Sequence, residues 1–256
     1  MISYSRAFLG WANFIIFLMA ESIGDRFRRT KLGLFVAIAE PLGIIALFAA
    51  MHSLTSSKPP FGTSYILFFA TGILPFYLCF HVSWRLRSWD SLRRLPRVTE
   101  FDLLIVRVFN EYLLKVIIIA ICGVALWLNG TAEAIPRDPL QCLLALCVFA
   151  AIGIALGFIN AVISAFFFAW LYIYALLMRA WMAFSGVLFV LDWMPPDFRN
   201  IAVWNPLAHA ITYYRAGYYT GFPQAFLDMK YMLLTTTAIL VLSIVALLST
   251  RPYRTL

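Results

Sequence analysis

Two ionisable residues, Glu40 and Arg179, sit inside otherwise apolar stretches of this chain. A charge at the middle of a membrane-spanning helix costs about 2.5 to 3.5 kcal/mol on insertion scales, so each must face protein or water. Two roles are open to them: lining a polar path for a substrate, or being met by neighbouring hydroxyls and backbone carbonyls. Carboxylates gather in one stretch, at Asp90, Glu100, Asp102 and Glu111, as a general acid–base or metal-assisted catalyst would require. Their alternation with arginine reads instead as the salt-bridged surface of helices. Only three histidines are present, His52, His81 and His209, with no HExxH and no GxSxG pattern, so metal and nucleophile chemistry lack raw material. No glycine-rich loop runs into Lys-Ser or Lys-Thr, so the sequence holds no P-loop to cradle nucleotide phosphates. The expectation is a chain with no catalytic residue, metal or cofactor of its own, driven by a partner or a gradient.

The elements that must carry these groups are six apolar segments: Leu32 to Met51, Tyr65 to Trp84, Tyr112 to Leu128, Leu140 to Ile163, Phe166 to Leu191 and Tyr231 to Leu248. Each is long enough to cross about 30 Å of hydrocarbon at a helical rise of about 1.5 Å per residue. Continuous apolar runs without two-residue alternation exclude a membrane barrel, leaving an all-α integral membrane protein. Fourteen of the twenty Lys and Arg residues fall in alternate gaps: Arg6, Arg26, Arg28, Arg29 and Lys31; then Arg85, Arg87, Arg93, Arg94, Arg97, Arg107 and Lys115; then Arg251 and Arg254. The other gaps hold Lys58, Arg137, Arg199, Arg215 and Lys230. Basic loops stay inside, which predicts both termini in the cytoplasm. Counted from the basic ends, Glu40 lies about 12 Å deep and Arg179 about 20 Å deep, so an ion pair between them needs tilt, a kink at Pro41 and a long arginine reach. Lys115, near a predicted span end, is expected to snorkel.

Composition agrees. With 63% hydrophobic and 12% charged residues there is too little polar surface for a separate soluble domain. The net charge of +8 sits in juxtamembrane stretches, where anionic headgroups are the near counter-charge, and no basic groove module points to nucleic acid. Cys79, Cys122, Cys142 and Cys147 all fall inside predicted spans, as small apolar fillers do, and imply no disulfide framework.

Three further stretches have their own character. Residues 1–31 open with an apolar run from Ala7 to Ala20, too short for a span. Phe8, Trp11, Phe14, Ile15 and Leu18 recur at helical spacing, predicting an interfacial helix in the headgroup layer tethered by the following basic cluster; a packed helix without membrane contact is the alternative. Residues 85–111 carry both charge signs and Pro96, predicting two short helices meeting there, with Thr99 as cap and Asp102 in the capping-box position. Such an elbow suits docking of another protein, or serves only as a topology-setting loop. Residues 192–230 are too aromatic for a free loop, and Pro195, Pro196 and Pro206 predict two short re-entrant helices. Aromatic residues crowd the fifth segment, among them Tyr172, Tyr174 and Trp181; most such rings anchor to lipid, while a water-lined row would let a glycan slide.

The stretches Arg26 to Pro41 and Pro96 to Glu111, together with Trp204-Asn-Pro-Leu-Ala-His209 followed by Arg215 and Gly217, resemble the permease subunits of ABC-2 type exporters for capsular polysaccharide. The three blocks come in order, and the resemblance covers nearly the whole chain as a single transmembrane domain. It implies a homodimer in the bacterial inner membrane, paired with two copies of a separate nucleotide-binding subunit that supplies ATP and Mg. It implies lipid-linked polysaccharide as cargo and periplasmic and outer-membrane export proteins as further partners. On this likeness the elbow with Arg87, Asp90, Arg93, Arg94 and Arg97 is the ATPase coupling region. The N-terminal helix with Trp11, and Arg26, Arg28, Arg29 and Lys31, gate the lipid-linked end. Glu40, Tyr172, Tyr174, Arg179 and Trp181 line the translocation path, and Trp204, Asn205, Pro206, His209 and Arg215 form the outer re-entrant motif. One departure is the uncharged turn near Asn160 to Phe168, where that family usually has polar residues.

Other readings make different demands. An integral membrane glycosyl or acyl transferase needs interfacial catalytic carboxylates, and a gradient-driven transporter needs inverted repeats and several buried carboxylates. Exporters of O-antigen, teichoic acid or drugs within the same broad class are nearer alternatives.

Overall fold

The computed structural model describes residues 10, 11, 13–22, 33–56, 58–86 and 99–250. Among these residues the regular elements are all helical. They are α1 (Asn13–Ser22), α2 (Gly33–Thr55), α3 (Tyr65–Leu86), α4 (Glu100–Leu128), α5 (Pro139–Phe166), α6 (Trp170–Phe184), α7 (Pro196–Ala202), α8 (Pro206–Tyr218) and α9 (Met229–Ser249). Short 3-10 turns lie at Ala132–Ala134 and Leu191–Trp193.

Helix starts follow one local grammar. Asp138 and Asp228 accept the backbone N–H groups of Gln141 and Tyr231, capping α5 and α9. Thr99 caps α4 through a reciprocal capping box with Asp102, as its spacing predicts. Asn205 caps α8, and Pro139, Pro196 and Pro206 occupy first-turn positions where a missing N–H does no harm.

Five helices, α2, α3, α4, α5 and α9, are long and apolar enough to cross a membrane. The buried axis is α3, with 78% of its span inside the protein against 17% for α2, α4 and α9. It packs on α5, α4, α2 and α8, while α9 closes the far side against α5 and α8. Association of helices in lipid depends on close backbone approach rather than on the hydrophobic effect. The α3–α5 crossing supplies it through Gly153 and Gly157, one turn apart. A Cβ on Gly153 would stand 2.8 Å from the Cys79 carbonyl, and one on Gly157 2.7 Å from Leu86 Cβ. Outward faces stay apolar, for example Ile117, Ile121 and Val124 on α4 and Leu234, Leu242 and Val245 on α9.

Four expectations change. The fifth segment is not a helix from Phe166 to Leu191: α6 holds 15 residues and stops at Phe184. Gly186 adopts φ 71° directly after the Ser185 cap, a left-handed position that ends a helix. The uncharged turn before α6 exists at Phe167–Ala169, and Trp170 Nε1 donates to Asn160 Oδ1 at 2.9 Å across it. The elbow's second helix is not short, because α4 runs unbroken from Glu100 through the third span. Lys115 therefore lies about 22 Å inside α4 and is fully buried rather than snorkelling.

The fourth concerns the N-terminal stripe. Ile15 and Leu18, with Phe14 and Met19, pack against Ile105 and Val106 of α4, so this stripe faces protein. Trp11 Nε1 donates to Asp102 Oδ1 at 2.9 Å, and Asn110 Nδ2 donates to the Met19 carbonyl. Ile16 and Phe17 are the exposed side of α1.

Candidate functional site

Two helical stripes meet between α3 and α4. Tyr77, His81 and Arg85 recur every four residues on α3, as Arg107, Glu111 and Lys115 do on α4, so each set shares one helix face. The Arg85 guanidinium pairs with Glu111, whose carboxylate is 1% exposed. Arg107 Nη1 donates to the Arg85 carbonyl at 3.0 Å, tying the side chain of one helix to the last turn of the other. The Lys115 ammonium donates to His81 Nδ1 at 3.0 Å, which leaves the ring proton on Nε2. That nitrogen faces Glu40 Oε2 of α2 at 3.8 Å, while Nδ1 lies 3.8 Å from Glu111 Oε2. Buried charges are costly unless paired, and these contacts gather ionisable groups of three helices around one buried carboxylate, that of Glu111. Glu111 is thus not the surface carboxylate that its alternation with arginine suggests.

From the network an exposed polar face continues toward α6. The Glu40 side chain is 46% exposed, and Tyr77 packs edge-on against His81 with ring centroids 5.3 Å apart. Tyr77 also stands within electrostatic reach of both Glu40 and Arg179. Arg179 and Tyr172 are exposed on α6, and Trp181 is partly so. No ion pair joins Glu40 to Arg179 among the described residues; His81 is the partner of Glu40. Tyr174 leaves the set of path residues. It is 4% exposed, bonded to Ser83 Oγ and stacked on Phe80, because it lies on the opposite side of α6 from Tyr172.

At the other end of the bundle, α8 is buried between α3, α5 and α9 and carries Arg215, which is 1% exposed. Its guanidinium has backbone partners instead of a carboxylate. Nη1 donates to the Gly186 and Phe189 carbonyls at 2.7 and 3.2 Å, and Nη2 to the Val187 and Phe68 carbonyls at 2.7 and 3.2 Å. The Phe68 ring lies 3.9 Å from the guanidinium carbon. The early end of α6 and the buried arginine are therefore one device: irregular backbone is tolerated inside a membrane protein where another group satisfies it. Asn205 completes the join, its Nδ2 donating to Ser185 Oγ at 2.9 Å while its Oδ1 caps α8.

His209 fixes the loop that leads from α8 to α9. Its Nδ1 accepts the Asp228 N–H at 3.1 Å, so Nε2 carries the proton and donates to the Val203 carbonyl at 2.9 Å. Phe226 stacks on the ring, and burial pushes the imidazole below its ordinary range. Trp204 is the outward member of the motif, 73% exposed, with its carbonyl accepting from Tyr231 Oη at 2.8 Å. No group of three His, Cys, Asp or Glu side chains among the described residues is arranged to hold a metal ion.

The ABC-2 type transporter family matches residues 13–219, which span α1 to α8 and include both the charge network and the Arg215 cradle. This chain belongs to the ABC-2 type transporter family. As an ABC-2 membrane component it is a multi-pass transport protein. Among known proteins it is similar to the capsule polysaccharide export inner-membrane protein BexB of Haemophilus influenzae. Two such sequences are 24% identical to it and one is 23% identical, each over 241 residues covering 89% of this chain and 87% of the relative.

Of the residues that sequence reading singles out in this ABC-2 protein, Glu40 and Arg179 both stand within electrostatic reach of Tyr77, and Tyr172 shares the Arg179 face of α6. Trp181 lies on the other side of α6 and lines a pocket with Trp204 and Asn205 of the outer motif, which assembles around α8. Arg87, Asp90, Arg93, Arg94 and Arg97 lie outside the described residues, as do Arg26, Arg28, Arg29 and Lys31. Tyr77, His81, Arg85, Glu111 and Lys115 were missed as a unit. Their four-residue spacing on two consecutive helices is the signal that finds them.

Proposed function

We infer that this chain is the permease subunit of an ATP-driven exporter of lipid-linked capsular polysaccharide across the bacterial inner membrane. It works as a homodimer with two copies of a separate nucleotide-binding subunit, which holds ATP and Mg. The observation that carries this reading is the 241-residue similarity to BexB, a capsule polysaccharide export protein of the inner membrane. Both termini and the basic elbow lie in the cytoplasm on this reading, following the distribution of Lys and Arg.

Residues 87–98 of the elbow dock on the ATPase through Arg87, Asp90, Arg93, Arg94 and Arg97. Movement there reaches the path because the elbow joins α3 to α4, and the Arg85–Glu111 and Lys115–His81 links hold those two helices together up to Glu40. Glu40, Tyr77, Tyr172 and Arg179 offer hydroxyls, rings and single charges to the passing glycan, a surface suited to sliding rather than capture. The N-terminal helix with Trp11 and the following Arg26, Arg28, Arg29 and Lys31 receive the lipid-linked end. The hairpin around Arg215 shapes the periplasmic exit, from which periplasmic and outer-membrane export proteins take the polymer.

The test is affinity purification from native membranes in mild detergent, with identification of co-purifying subunits and their ATPase activity. A stoichiometric P-loop ATPase is expected, lost in an Arg93→Glu, Arg94→Glu variant that still inserts. A solitary chain, under conditions that preserve known complexes of this kind, overturns the reading; unchanged ATPase recovery in the variant overturns the coupling assignment.

A further inference from the structure

Between α4 and α5 an open apolar groove of about 370 Å³ is lined by Val116, Ala120 and Trp127 on one side and Pro139, Leu143 and Leu146 on the other. Tyr214 and Tyr218 of α8 close its floor. Both walls belong to helices long and apolar enough to span the membrane. From Val116 to Trp127 the groove runs about 16 Å along α4, half of a hydrocarbon core of about 30 Å and therefore the depth of one leaflet.

An apolar cavity of about 150 Å³ already takes up a benzene-sized guest, and lining atoms left without neighbours lose their dispersion contacts. At membrane depth the available guest is a hydrocarbon chain. The rim adds a headgroup feature. Pro136 and Pro139 both line the groove, and Arg137 between them is exposed, with its backbone N–H donating to the Tyr218 carbonyl at 3.2 Å. Its guanidinium has no hydrogen-bond or ion-pair partner among the described residues. The adjacent Asp138 carboxylate accepts from Gln141 N as the α5 cap. A guanidinium is matched in geometry to a phosphate, and Trp127 at the same end is an interfacial residue type.

We propose that this groove holds an acyl chain of a bilayer phospholipid, with the lipid phosphate on Arg137. The site rests on the membrane-spanning character of α4 and α5 and is independent of the cargo. It makes a phospholipid part of the folded wall, filling the gap between two helices that otherwise touch little.

Native mass spectrometry of the full-length chain, delipidated in mild detergent and then given phosphatidylglycerol or diacylglycerol, tests this. The wild type is expected to retain one phosphatidylglycerol per chain and at least fivefold less diacylglycerol. Ala120→Phe, which fills the groove from an exposed α4 position, abolishes retention. Arg137→Gln removes the preference for the phosphate-bearing lipid, and Arg137→Lys restores part of it. Thermal midpoints of the variants monitor folding, and Leu143→Trp fills the same groove from α5 if Ala120→Phe does not fold. Unchanged retention in the folded groove-filling variant, equal retention of both lipids by the wild type, or recovery of only a lipid-linked glycan overturns the proposal.

Discussion

Replacing Arg215 by alanine should be among the most damaging single changes outside the charge network. The substitution strips donors from four backbone carbonyls, those of Gly186, Phe189, Val187 and Phe68, in a region with no room for bulk water. A hydrogen bond to a charged group contributes about 1.5 to 3 kcal/mol, so the four give a gross value of roughly 6 to 12 kcal/mol. Burying the guanidinium offsets several kcal/mol of this, which leaves a net loss on the order of 3 to 5 kcal/mol from the unsatisfied buried carbonyls. For a chain of this size about 1 kcal/mol corresponds to roughly 2 to 4 °C in thermal midpoint. Arg215→Ala should therefore lower the midpoint by about 6 to 20 °C, measured by heating in detergent and following the surviving monodisperse fraction by size-exclusion chromatography. Arg215→Lys, with three donors on a point charge, should fall between wild type and alanine. Trp204→Ala, at an exposed position in the same hairpin, should change little. A midpoint for Arg215→Ala within 2 °C of wild type would refute the claim that this side chain closes the α6–α7 connection.

Two further predictions follow from the same logic. Lys115→Met leaves Glu111 with less positive charge around it, so the Lys115→Met, Glu111→Gln double variant should be more stable than the sum of the single changes, by about 0.5 to 3 kcal/mol of coupling in a double-mutant cycle; strict additivity would mean that Lys115 and Glu111 act independently of each other. His209 lies outside the five candidate spans and is held neutral, with its protonation constant depressed by burial, so the unfolded chain binds the extra proton first. Stability from this group is complete above the unfolded value of about 6.5 and declines as pH falls through it toward the folded value. Thermal midpoints should hold between pH 7 and 8 and drop below about 6.5, and His209→Asn should flatten that drop; identical profiles for the two proteins would remove His209 as its source.

Much of the bundle was legible because lipid imposes a simple code. Long apolar runs give α2, α3, α5 and α9 to within a few residues and the C-terminal end of α4, while Thr99 with Asp102 marks a helix start that runs on into that span. The failures share one physical origin. Hydropathy averages over a segment, so it carried the fifth segment through Ser185-Gly186, although glycine at a left-handed position ended the helix and Arg215, distant in sequence, satisfied the carbonyls that followed. It also counted Lys115 and Glu111 as span-end and surface groups, because a pairing between helices is invisible to composition along one helix. In the outer motif the residue types were informative individually: Asn205 before Pro206 reads as a cap, whereas the role of His209 depends on Asp228 and Val203 folding back onto it. Tyr174 was misassigned because ring content says nothing about which side of α6 a ring occupies, and Ser83 and Phe80 decide that.

The charge stripe on α4 also bears on how the chain is made. Arg107, Glu111 and Lys115 would each burden a lone helix entering lipid by about 2.5 to 3.5 kcal/mol near the bilayer centre. Their partners His81 and Arg85 reside on α3, which leaves the ribosome earlier. The favourable unit for release into the bilayer is then the α3–α4 pair, assembled beside the insertion machinery before either helix is surrendered to lipid. Biogenesis of this protein is thereby tied to a hairpin-by-hairpin order, and a truncation ending before Glu111 would leave α3 at the translocon with its polar face unmatched.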